Sequence, residues 1–257
     1  MKKKINWIVL ILIINLGCSD DLDEKIPVFK IPVIKIETNN LEEISSKEDY
    51  VKGTFEFNSG DYDFEDFVQP IKIRGRGNST WDMPKKSYQF KLDEKHNLFN
   101  FPEDKKWLML ANYSDKTMLR NALAFELGYL SILDWTPNYH FAEVVINGKA
   151  KGLYQFTEKV ETGDDNRVKI GDEGFLLEVD QLSRIDYDDI SFWTEKKLLF
   201  VVKDPDLESG SSELEKIKSY VINTENVLYG EEFDDPVNGY SKYIDVDSFV
   251  DWYLINE

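Results

Sequence analysis

Between Ile71 and Lys91 the chain reads IKIRGRGNSTWDMPKKSYQFK, in which Lys72, Arg74, Arg76, Lys85, Lys86 and Lys91 stand against one acid, Asp82. In a chain whose formal net charge is −18, so basic a stretch is either balanced by acidic neighbours or built to hold an anion. Gly75 and Gly77 allow close backbone approach to a ligand, Asn78, Ser79 and Thr80 supply short donors, and successive amides in such a turn can form an anion-binding nest. Tight turns demand glycine too, so the G-x-G pattern alone is weak. The alternation Tyr88, Phe90, Leu92 places Lys86 at the entry of the same face. An inward lysine needs a carboxylate or a phosphate, because an unpaired buried ammonium is costly. Glu126, beside the apolar series Leu119, Leu123 and Leu127, is a candidate partner. A Lys86–Glu126 pair is the sharp expectation; a solvated bridge or no contact is the bland one.

Other chemistries find little support. Two histidines, one cysteine and scattered carboxylates give no metal-ligand spacing, so no metal site is expected in the chain. There is no G-x-S-x-G nucleophile elbow. His96 and His140 read as surface or satisfied core residues. Asp180, Asp186, Asp188 and Asp189 could hold a cation but read as a solvated loop. The negative charge argues against nucleic acid or anionic lipid as the main partner. With 42% hydrophobic and 14% aromatic residues the chain is too apolar for an acidic disordered one, and a single cysteine excludes an internal disulfide.

The elements that must position these residues follow from period and punctuation. Strands are expected at Ile31 to Ile36, Thr54 to Phe57, Ile71 to Arg74 and Tyr88 to Leu92. A helix capped by Asp115 is expected over about 116–129. Phe141 to Ile146, Asn147-Gly148 and Gly152 to Phe156 form the clearest hairpin. Strands follow at Gly174 to Val179, Ile190 to Thr194 and Leu198 to Lys203, then helices over about 211–228 and 245–256. Asp245 or Asp247 is expected to cap the last, with Phe249, Trp252 and Tyr253 buried. Trp107, Trp193 and Trp252 sit in apolar runs and read as core. The order reads as α+β.

Residues 1–17 have a basic start, a short apolar run from Ile8 to Ile14 and a small Gly17, the order of a signal peptide. Cys18 at the cleavage point implies a lipoprotein, anchored to a membrane through acyl chains on that cysteine. Ser19-Asp20-Asp21 resembles an acidic tag for surface delivery, so the expected location is the outer membrane or cell surface of a Gram-negative bacterium. Residues 18–30 read as an acidic tether, and 31–257 as the domain.

Five blocks in order, IRGRGNSTWDMPKKSYQFKL, KKWLMLANYSDKTMLRNALAFELG, FAEVVINGKAKGLYQFTEKVE, GFLLEVD and FVVKDPD, resemble the CotH family, the spore-coat-protein-H-like atypical protein kinases. The resemblance covers Ile71 to the C-terminus. It implies a diverged protein-kinase-like fold, an antiparallel sheet plus helices, that moves a phosphoryl group from ATP with Mg²⁺ to protein Ser/Thr. It puts Arg74, Asn78 and Lys86 in the nucleotide region, with Lys86 on phosphate. Glu126 falls on the helix that orients that lysine, and Glu158 in the segment near the adenine. Protein kinases hold the α- and β-phosphates through such a strand lysine and helix glutamate. In the family the catalytic loop and a metal-binding motif follow a helix ending like Trp252 to Glu257. The resemblance therefore implies a fold incomplete at the C-terminus, catalytic residues beyond Glu257, and a chain inactive alone. The rival expectation is a non-catalytic surface lipoprotein, an adhesion or assembly module, with Trp81 as its exposed contact; its protein partner is not identified by either reading.

Overall fold

The computed structural model describes residues 30–163, 167–185 and 188–257, and its compact unit runs from Ile31 to Glu257. The expected leader, Cys18, the tether before Lys30 and Asp186 lie outside the described residues.

Seven strands form a closed barrel: β1 (Val33–Thr38), β2 (Val51–Asn58), β3 (Phe67–Arg76), β4 (Ser87–His96), β5 (Asp104–Leu110), β6 (Tyr139–Ile146) and β7 (Lys149–Glu158). Around the ring the order is β1-β2-β3-β4-β5-β7-β6. An odd number of strands alternating in direction must leave one parallel pair where the ring closes. That pair is β1 with β6, Ile34 opposite Val144 and Ile36 opposite Ile146. Period-two alternation turns Phe55, Phe57, Ile73, Phe90, Met109, Val144 and Phe156 inward, each almost wholly buried. At about 1.5–3 kcal/mol for each large apolar side chain, this interior is the main stabilising feature of the unit. At Gly53 any Cβ would lie 2.4 Å from the Glu37 carbonyl oxygen, so β1 and β2 approach too closely for a side chain there.

A second, smaller layer holds β8 (Leu176–Asp180), β9 (Ser191–Trp193) and β10 (Leu199–Asp204) in the order β8-β10-β9. The helix α2 (Ser212–Leu228) lays Leu214 and Ile217 on Phe192 and Val202 of this sheet. Ser211 caps α2 by accepting the Leu214 N–H at 3.2 Å. The helix α1 (Arg120–Leu130) runs between β5 and β6, and α3 (Val246–Asn256) meets it, with Asp251 accepting the Ile132 N–H at 3.0 Å.

This architecture corrects the expected fold. An α+β kinase-like sheet with helices is not what forms: the antiparallel strands close on themselves, and the small sheet stands apart from the ring. The reason is the β1–β6 pairing, a contact between strands more than a hundred residues apart that no local pattern announces. Two expected apolar stripes are corrected as well. Leu119, Leu123 and Leu127 are 58%, 61% and 42% exposed, and Phe249, Trp252 and Tyr253 are each about half exposed. Trp107 is fully buried as expected, whereas Trp193 and Trp252 lie on the surface.

Candidate functional site

Two cavities meet at the end of β3. The smaller, about 430 Å³, is walled by Arg76 and Gly77 after the strand, Thr80 and Met83 of the following turn, Lys85 and Ser87 at the entry to β4, the segment from Leu110 to Asp115, and Arg120 and Asn121 at the start of α1. The larger, about 1640 Å³, lies between the barrel and the small sheet, with Lys159 to Gly163 on one side and Leu176 to Val179 and Val202 to Leu207 on the other. Carboxylates outnumber cations along the larger cavity, and cations outnumber carboxylates in the smaller.

The smaller cavity is shaped by the glycine-rich turn, in a different way from the sequence expectation. A Cβ at Gly75 would fall 2.3 Å from the Trp81 ring, and one at Gly77, where φ is +101°, would fall 2.1 Å from the Thr80 hydroxyl. Both glycines are needed so that the turn can fold back on its own side chains. Trp81 is thereby half-buried against the barrel core, edge-on to Tyr88. Lys86 donates its ammonium to the Trp81 carbonyl and lies over the same ring, so it pins this turn. Lys85 enters the cavity instead, bonded to the Leu153 carbonyl and seated over Tyr154 at 4.2 Å. Burial lowers the Lys85 ammonium below its ordinary value.

The opposite wall is an amide chain. Asn112, with φ of +44°, donates to Gln155 at 2.6 Å, and Asn121 donates to Asn112 at 3.1 Å, tying the start of α1 to β7. Ser87 accepts the Ala111 N–H at 3.0 Å. Among the described residues Asp115 is the single carboxylate lining the cavity, and it accepts N–H bonds from Thr117 and Arg120 and the Thr117 hydroxyl. These bonds hold its carboxyl below the usual range, so it remains an anion engaged with the turn that leads into α1.

The five residues expected to bind nucleotide do not converge, and none lines either cavity. Arg74 donates to the Glu48 carbonyl at 3.4 Å and covers Tyr50 at 4.8 Å. Asn78 is exposed in the turn, with its carbonyl accepting the Trp81 N–H. Glu126 is exposed and accepts from the Tyr139 hydroxyl at 2.8 Å, so the Lys86–Glu126 pair does not form. Glu158 is buried, bonded to Arg167 at 2.9 Å and to the Asn138 N–H at 2.7 Å. Burial still pushes its carboxyl above the ordinary value. Arg167 also meets Asp104 at 3.1 Å, so the buried lysine–glutamate pair that was sought is replaced by an arginine among carboxylates elsewhere.

Arg76 and Lys85 belonged to the basic stretch but were not expected at the nucleotide site, and Asn112, Arg120 and Asn121 were not singled out. Strand parity pointed to Lys86, but β4 begins at Ser87, and alternation has no force one residue before the ladder starts. The signal that could have found Arg76 is the outward series Lys72, Arg74, Arg76, whose last member reaches the turn.

A profile of the CotH kinase protein family matches residues 73–257, well over half of the chain, and takes in the turn, both cavities and the small sheet. The chain belongs to the CotH kinase family. A search of curated proteins found no match. Within the CotH match, the cationic cavity fits the phosphates of a nucleotide: Arg76, Lys85 and Arg120 face it, and its carboxylate is already engaged. A Mg²⁺ ion fits less well, since no group of three or more potential ligands among His, Cys, Asp and Glu is assembled among the described residues. Asp188 and Asp189 line the larger cavity, and Asp180 pairs with Arg184 at 3.6 Å.

Proposed function

We propose that this chain binds the phosphate tail of ATP in the cationic cavity and serves phosphoryl transfer to protein Ser/Thr. One observation carries the reading: a cavity of about 430 Å³ with Arg76, Lys85 and Arg120 on its walls and, among the described residues, one carboxylate, Asp115, whose oxygens accept from Arg120 and Thr117. In the family setting, ATP would supply the transferable group. Lys85 and Arg120 would neutralise its phosphates, and Lys86 would act at one remove by holding Trp81 and the turn. No step is routed through Mg²⁺. Equilibrium binding of ATP, followed by calorimetry, tests this. Lys85→Ala should weaken binding at least about tenfold, the worth of one charge-assisted contact. Unchanged affinity in Lys85→Ala and Arg120→Ala would remove the cavity from consideration.

The second reading is a non-catalytic binding module, and one observation favours it: the exposed apolar residues of α1 and α3. Trp81 is engaged against Gly75 and does not support the contact first expected of it. For location, we propose export and acylation at Cys18, on the strength of the basic and apolar leader. A diacylglyceryl mass on the N-terminal peptide, lost with membrane association in Cys18→Ser, is the expected result.

A further inference from the structure

Among the described residues, Arg76 alone lines both cavities. It closes β3 opposite Ser87, and the next residue, Gly77, turns the chain away, so its side chain is left at the junction. It is half-buried, and no carboxylate or carbonyl among the described residues pairs with it. Burial makes the cation costlier to keep. Several neighbouring carboxylates already have partners. Asp115 accepts the Arg120 N–H at the start of α1. Across the larger cavity Asp104 meets Arg167, Glu161 meets Lys106, and Glu178 meets Lys203. A guanidinium differs from an ammonium in its planar fork of donors, which can engage oxygens of two adjacent phosphates at once.

We propose that Arg76 is the shared contact of a phosphate chain that extends from the smaller cavity toward the larger one, so that it reads the length of the chain. The inference rests on the phosphate reading of the smaller cavity. A single phosphate is held within that cavity by Lys85 and Arg120; a longer chain must pass Arg76. Beyond the junction the cavity lining carries more carboxylates than cations, which disfavours further extension of the anion.

The test is calorimetric binding of inorganic phosphate, pyrophosphate and tripolyphosphate to the full chain and to Arg76→Gln, Arg76→Lys and Lys85→Ala, each checked for thermal unfolding. The wild type should bind tripolyphosphate more tightly than phosphate. Arg76→Gln should lose about tenfold on tripolyphosphate and little on phosphate, with Arg76→Lys between the two. Lys85→Ala should lose affinity for all three anions. Equal loss on all three in Arg76→Gln, or no loss on any, would overturn the length-reading role while leaving the cavity as a phosphate site. Failure of the wild type to bind any of the anions would overturn the cavity reading, and this inference with it. If Arg76→Gln does not fold, Arg76→Lys alone decides by the same comparison.

Discussion

At the residue scale the most consequential group is Arg167, buried among Glu158, Asp104 and Glu161 and lying over Trp107. A buried ion pair adds little against a well-packed apolar substitute, yet removing one partner strands the other. Arg167→Met should therefore cost about 3–5 kcal/mol in urea unfolding, and Arg167→Met combined with Glu158→Leu should recover much of that loss. His140 carries a different prediction. It stacks on Phe99 and meets Tyr62 and Phe64 edge-on, and burial lowers it from 6.5 although the Phe141 carbonyl opposes the shift. The folded protein thus resists protonation more than the unfolded chain does. Its contribution is whole above the unfolded value and is lost as pH falls through the depressed folded one. Between about pH 7.5 and about pH 5, wild type should lose more stability than His140→Phe, which keeps the ring and removes the titration. Equal losses in the two proteins would show that His140 contributes nothing to acid sensitivity.

At the element scale the glycine-rich turn is a packing device before it is a ligand device. Gly75→Ala brings a methyl group to 2.3 Å from Trp81. Overpacking of this kind should cost about 1–3 kcal/mol and loosen the turn that carries Arg76 and Lys85, lowering both the unfolding midpoint and phosphate affinity. Adding Trp81→Leu makes room for the methyl and should restore part of the stability; no recovery would place the strain elsewhere. The hairpin of β6 and β7 was legible because Asn147-Gly148 supplies two left-handed residues between apolar runs. The helix α2 was expected over about 211–228, and Ser211 caps it. The helix expected over about 116–129 with Asp115 as its N-cap starts instead at Arg120, with Leu119 at the cap position, because the intervening turn is folded around the Asp115 carboxylate. The strand β5 escaped notice: Asp104, Lys105 and Lys106 give it a polar opening, and both Leu108 and Met109 are buried, so no alternation marks it.

At the scale of the whole molecule, stability should divide between the barrel and the helical face. Ile36 lies in the parallel pair that closes the ring and is 2% exposed. Ile36→Ala should cost about 2–5 kcal/mol by opening a cavity at the closure. Leu123 on α1 is 61% exposed. Leu123→Gln should stay within about 0.5 kcal/mol of wild type, although this leucine belongs to an apolar series in the sequence. Chemical denaturation of the two variants side by side checks the pair. A large loss in Leu123→Gln would mean that the apolar face of α1 is covered in solution.

Local physics was enough to determine several things. The acidic charge, most of the strands and helices, the hairpin turn, an aspartate cap on the last helix and the basic stretch around the turn all depend on residues close in sequence. The resemblance to the CotH family likewise rested on ordered blocks of sequence, and the family match covers most of the same span. Tertiary structure alone decided that the strands close into a barrel, since Val33 to Ile36 meets Glu143 to Ile146 only after the intervening chain has folded. It also decided which cations share a cavity. Lys85 and Lys86 are adjacent, yet one reaches the cavity and the other holds a carbonyl, because the strand begins one residue later and the turn closes over Trp81. A sequence records which charges exist; where each one points depends on the packing around it.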